Sequence, residues 1–220
     1  MNSLVKKDLL QHLSTIIFIL IVITIGFLIT IPPFLTSLCL SLPTAIIGSF
    51  FTDHRASINR YLKSLPLKPD SIVFSKYIFL FIIWIIIVLY QFAIGHIVEA
   101  ILPDGIYVFG WKEIIILLSL GLIMLAVYVP LYYLIKSFVI GTIIVGVIYM
   151  LIFFFSLDAL VKILGMQYYI NFNNLDRGFV PLIEKFIPFQ PYLTLPLCAL
   201  ILYYFSLKLS TKLFTVKESA

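Results

Sequence analysis

Six apolar runs constrain this chain more than anything else in it. Each comes close to or exceeds the roughly 20 residues that a helix needs to cross a hydrocarbon core about 30 Å thick. They lie at 14–31, 34–51, 77–98, 114–135, 138–157 and 189–207. In lipid only helices and closed barrels satisfy their own backbone, and continuous Ile/Leu/Phe text lacks the alternation of a barrel strand. The expected fold is an all-α polytopic membrane protein, one transmembrane domain over 1–220 with six transmembrane helices. With 62% apolar residues, 15 Lys+Arg and 10 Asp+Glu, the chain has too little charge to cover a soluble surface. Disorder and nucleic-acid binding are excluded on the same ground. Cys39 and Cys198 lie inside apolar runs with no Cys or His at ligand spacing, so both read as small core residues. The first run leads into Pro32-Pro33 and a second run, with no small-residue cleavage site, so it is not a cleavable signal peptide.

Positive charge sets the orientation. Eleven of the 15 Lys and Arg fall in the N-terminal segment, the 52–76 loop, Lys136 and the C-terminal tail, and the other four in the remaining connections. Such residues gather in cytoplasmic loops, so both termini and the 52–76 loop are expected in the cytoplasm. Pro32-Pro33 and Lys136-Ser137 are short enough to make tight antiparallel hairpins of helices 1 and 2 and of helices 4 and 5. The 52–76 loop carries Ile58, Tyr61, Leu62 and Leu65 at i, i+3, i+4, i+7, with Arg55, Asn59, Arg60 and Lys63 between them. This is the pattern of one short amphipathic helix. Thr52 or Asp53 would cap its start, Pro66 and Pro69 would stop it, and Asp70 or Ser71 would cap helix 3. Taken alone, a basic helix of this kind suits anionic lipid head groups.

The 158–188 connection has one apolar stripe at Leu160, Val161 and Leu164 and another at Val180, Ile183 and Ile187, around a polar turn. Two short external or re-entrant helices are expected there. In segment 1–13, Val5, Leu9, Leu10 and Leu13 face away from Lys7, Asp8, Gln11 and His12, which suggests a helix on the cytoplasmic surface.

No ionisable residue lies near the midplane of any span, where one would mark an ion or proton path. His96 precedes Glu99 by three residues, a spacing that suits a shared metal or proton site or an interfacial histidine without partners. No phosphate-cradling glycine loop, nucleophile elbow, zinc-binding helix or paired-carboxylate motif occurs, so no catalytic, cofactor-binding or metal residue is assigned and the chain is not expected to be an enzyme. Gly141 and Gly146 are one residue too far apart for a small-xxx-small seam and fit ordinary close packing. The abundant aromatic residues fit interfacial anchoring.

This layout resembles the membrane subunits of type-2 ABC exporters, which have six helices, an N-terminal surface helix, a coupling helix between helices 2 and 3, and short external helices between helices 5 and 6. The stretch Tyr61-Leu62-Lys63-Ser64-Leu65-Pro66, followed by Ile72-Val73 and Ser75-Lys76-Tyr77, is similar to the text of small bacterial permeases in that family. Among them are the exporters of phenol-soluble modulins and related amphipathic peptides. The resemblance implies a permease subunit in a bacterial cytoplasmic membrane, moving an apolar or amphipathic cargo, peptide or lipid-like, out of the cell. ATP and Mg would be held by a separate ABC ATPase subunit, and the second permease would be an identical copy or a paralogue. The residues that would couple to the ATPase are Asp53, Arg55, Ile58, Arg60, Tyr61, Leu62, Lys63, Leu65 and Pro66. Apolar Ile58, Leu62 and Leu65 suit a partner's groove, with the cations at its rim. The cargo cavity would lie among helices 1, 2 and 5, almost uncharged. The rival expectation is a non-transporting immunity or resistance protein against a membrane-active peptide.

Overall fold

In a computed structural model, residues 2–29, 31–55, 68–101, 108–135, 137–164 and 176–219 are described, and helices carry their regular structure. In chain order these are α1 (Asn2–Gln11), α2 (Leu13–Leu28), α3 (Pro33–Arg55), α4 (Pro69–Ile101), α5 (Trp111–Leu134), α6 (Phe138–Leu164), α7 (Phe179–Phe186) and α8 (Pro191–Ser219). Five of them, α3, α4, α5, α6 and α8, are long and apolar enough to cross a membrane. Helices α1 and α2, bent by 55° across His12, together make a sixth candidate span.

Helix α4 is the centre of the bundle. Val73, Phe79, Trp84, Ile87, Val88 and Gln91 along it are fully buried. Trp84 lies against α5 where Gly121 leaves the backbone bare, and its Nε1–H donates to the Leu118 carbonyl at 3.2 Å. Helix α8 runs along α5 more closely than any other pair, with Ala199, Ser206 and Ser210 turned inward. The Tyr77 hydroxyl meets Ser206 Oγ and Ser210 Oγ at 2.7 Å each, and Ser206 donates to the Ala126 carbonyl at 2.7 Å. Outside this centre the helices are bare: only 17% of the apolar window of α6 and 22% of that of α8 is covered, against 61% for α4. Those faces meet lipid or another subunit.

The first third of α3 is underwound into a π-helical segment, Thr36–Ser41, in which Leu42 N–H donates to the Ser37 carbonyl five residues back. Pro43 gives the local reason. Its ring has no N–H for the Cys39 carbonyl and would crowd that carbonyl in a regular α-turn, and a wider turn relieves both problems.

Several elements depart from the sequence-based expectation. Residues Leu160 and Val161 form no separate short helix, because α6 runs unbroken to Leu164. No proline or glycine interrupts it after Gly146, and Lys162 pairs with Asp158 at 2.6 Å one turn back. Helix α7 is the second expected short helix. Helix α4 starts at Pro69, at the first helical position where proline is tolerated, so Asp70 sits inside the first turn and neither it nor Ser71 is the cap. Helix α3 likewise runs through Thr52 and Asp53 to Arg55, so these do not start a new helix. At α1 and the bend after it, Asp8 and His12 are buried beside the partly buried Leu4 and Leu9, while Leu10 and Leu13 are exposed. Cys39 is half-buried, but Cys198 faces outward rather than into the core.

Candidate functional site

The bundle has two poles, and polar groups are buried at both. At the pole bearing the termini, Lys76 on α4 is 4% exposed and its Nζ lies 2.6 Å from Asp53 Oδ2 near the end of α3. The ammonium also reaches the Ser49 carbonyl at 3.5 Å and stands over the rings of Phe79 and Phe50 at 5.5 and 5.7 Å. Three kinds of partner thus replace the water that a buried cation loses. Beside the pair, the bend between α1 and α2 inserts His12, whose Nδ1 is hydrogen-bonded to Thr52 Oγ1 at 3.2 Å and whose ring lies 5.1 Å from that of Phe79. Asp8 completes the group, with Lys7 3.0 Å from one of its oxygens at the rim.

Of the residues expected to couple to an ATPase, the structure describes Asp53 and Arg55. Asp53 is buried in the ion pair, and Arg55 is exposed in the last turn of α3. Ile58, Arg60, Tyr61, Leu62, Lys63, Leu65 and Pro66 lie outside the described residues, as does the short helix expected to carry them. Asp53 and Lys76 are the two ends of that loop, 23 residues apart in sequence and clasped together in the fold.

Toward the opposite pole, an open groove of about 530 Å³ runs between α2, α3 and α6. Val22, Ile25, Leu35, Leu40, Phe153 and Leu157 line it, and none of its lining residues is charged.

The profile of the ABC-2 family transporter proteins matches residues 3–215. The chain belongs to that family. It is a multi-pass membrane protein, and ABC-2 members are the membrane component of ABC transporters, working with an ATPase subunit. The chain has no match among curated proteins.

This ABC-2 chain closes its groove at the second pole with a polar seat. Asp176, fully buried just before α7, accepts the Phe34 N–H on Oδ2 at 2.8 Å, at the start of α3 where a helix leaves its amides free. Burial, and then the neighbouring Glu113, raise its carboxyl well above the usual range, while the Phe34 N–H opposes them. Phe179 stacks on Phe34 with centroids 3.8 Å apart. Gln91, buried on α4, bonds Ser37 and the Pro33 carbonyl. Carboxylate, amide and ring together fasten α7 to the rim of the groove.

Sequence reasoning missed most of these groups. Lys76 counted only as a loop cation, and Asp8 and His12 as members of a solvated face. Their i, i+4 spacing was the available signal, since it puts both on one side of α1 and its continuation. Asp176 and Gln91 carried none, because their partners are 142 and 58 residues away. His96 sits 3.5 Å from Glu99 with both side chains about half exposed, an interfacial pair.

Proposed function

We propose that this ABC-2 chain is the permease subunit of an ATP-driven exporter that carries an apolar or amphipathic molecule, peptide or lipid-like, out of a bacterial cell. The observation that supports it most is the uncharged groove bounded by α2, α3 and α6, the spans expected to hold the cargo. A carrier for sugars or ions needs polar or charged ligands along its path, and this groove offers almost none. A long acyl chain or the apolar face of an amphipathic helix fits such a wall. Amphipathic peptides of the modulin kind meet that description. The excess of Lys and Arg at the pole bearing the termini supports placing that pole in the cytoplasm.

In this reading a separate ATPase subunit binds ATP, docks on the 52–76 loop and pushes it. The Asp53–Lys76 pair carries the displacement into α3 and α4, because it binds the two roots of the loop to each other. A second permease, identical or paralogous, supplies the other wall of a shared cavity and covers the bare faces of α6 or α8.

The test is a tagged chain co-expressed with candidate ATPase subunits. Wild type should retain an ATPase through gentle solubilisation and export amphipathic peptide from cells. Leu62→Ala with Leu65→Ala removes apolar surface worth about 1.5–3 kcal/mol per fully buried side chain and keeps helix propensity. The double variant should insert normally, lose the ATPase and stop export. Unchanged ATPase recovery and unchanged export in that variant would remove the coupling role of the loop. Leu40→Asp should leave ATPase recovery intact and depress export, since it puts a charge on the groove wall.

A further inference from the structure

Two carboxylates and an imidazole converge where α1 meets α3. One ligating atom each from Asp8, His12 and Asp53 lies within 4.8 Å of the others. A point no more than about 2.8 Å from all three therefore exists, and small side-chain rotations would bring it to the roughly 2.0–2.2 Å of a zinc–nitrogen or zinc–oxygen bond.

Asp8 comes from α1, His12 from the bend after it, and Asp53 from the end of α3. Each is at least nine-tenths buried, with Asp8 at 4%, His12 at 2% and Asp53 at 9% exposure. Two of them have a buried atom without a partner, His12 Nε2 and Asp53 Oδ1, while Asp8 Oδ1 meets Lys7, 37% exposed, at 3.0 Å. Buried polar atoms are rarely left so, and two in one place call for a shared partner. Thr52 already holds His12 Nδ1, the outer hydrogen bond that orients a ligating imidazole.

Lys76 is the obvious objection, since its ammonium sits on Asp53. It engages Oδ2 and leaves Oδ1 open. Lys76 balances Asp53, and Lys7, 37% exposed at the rim, balances Asp8. A divalent cation entering here would displace only the Lys7 ammonium, which can turn out to water.

We infer that Asp8, His12 and Asp53 form a divalent transition-metal site of the zinc class, which pins the N-terminal helix to the root of the 52–76 loop. The ligand set of one imidazole and two carboxylates fits zinc better than calcium or magnesium, which take oxygen alone. Its role is structural. It joins α1 to the α3 end that the loop leaves from, so movement of the loop reaches the first span.

The experiment uses the full chain in detergent, stripped by chelator and dialysed against micromolar Zn²⁺ or Co²⁺ at neutral pH. The expected result is about one Zn²⁺ per chain and visible Co²⁺ absorption of a low-coordinate nitrogen–oxygen site. Asp8→Asn leaves the Asp53–Lys76 pair in place, and it and His12→Gln should each weaken metal affinity more than about tenfold while eluting as wild type on size exclusion. Zinc should raise the thermal midpoint of wild type and not of either variant. His54→Gln and His96→Gln should bind as wild type. No stoichiometric uptake by wild type, or uptake unchanged in Asp8→Asn and His12→Gln, overturns the site, as does uptake lost only in His96→Gln.

Discussion

Gly121 shows how far one residue governs this core. A Cβ built there would stand 2.1 Å from Trp84 Cε2, a distance no side chain tolerates, and the indole has nowhere to go because Trp84 is fully buried. Gly121→Ala should therefore cost about 1–3 kcal/mol or more through overpacking and break the Trp84–Leu118 hydrogen bond. Gly146, which meets nothing within 4 Å, is the control, and Gly146→Ala should be neutral or slightly stabilising. Thermal midpoints in detergent distinguish the two. The Asp176 carboxyl is raised in the fold, so the native state holds its proton where the unfolded chain has lost it. Its contribution is full below its ordinary value of 3.8 and is lost as pH rises toward the folded pKa. Thermal midpoints against pH should show Asp176→Asn removing this slope.

At the level of elements, the 52–76 connection is defined by its roots. Asp53 closes α3 and Lys76 lies in the third turn of α4, and the pair between them is nearly dry. Removing one partner of a buried pair strands the other charge. Asp53→Asn should destabilise the chain by about 3–5 kcal/mol, while Asp53→Leu combined with Lys76→Met should recover most of that. A double-mutant cycle on thermal midpoints measures it. If loop movement passes through the clasp, the double variant should keep ATPase binding and lose transport. The π-helical segment of α3 belongs to this scale as well. It turns Ser37 toward Gln91 and so places the start of α3, with its free amides, beneath Asp176.

For the whole molecule, the positive charge count predicts a topology in which the pole with the termini is cytoplasmic. Single cysteines at Ser57 and Asn173, in a background with Cys39 and Cys198 replaced, should label from opposite sides of the membrane. In intact cells an impermeant reagent should reach Asn173→Cys and not Ser57→Cys. The sparse cover on α6 and α8 sets a second whole-molecule property, since most of the apolar window of each is left bare by the chain's own helices. A second subunit would cover part of that surface and lipid the rest.

Spans were legible in the sequence for a physical reason. In lipid each helix must satisfy its own backbone and match the thickness of the hydrocarbon, so length and hydropathy alone mark it, and 34–51, 77–98, 114–135 and 138–157 each lie almost wholly inside one helix. The ends of those helices were less legible. A membrane rewards apolar text but does not stop a helix that continues into water, so α4 gains a turn and more from Pro69 and α6 runs on to Leu164. Apart from the i, i+4 spacing of Asp8 and His12, the buried polar groups belonged to the tertiary structure. Asp53 faces Lys76, His12 faces Thr52, and Asp176 faces Phe34 across 23, 40 and 142 residues. A charge that reads as a solvated loop residue becomes a core residue only when its partner arrives from another helix. Desolvation makes such a group costly alone and tolerable in a pair, so its place is decided by the packing of helices and not by any local pattern.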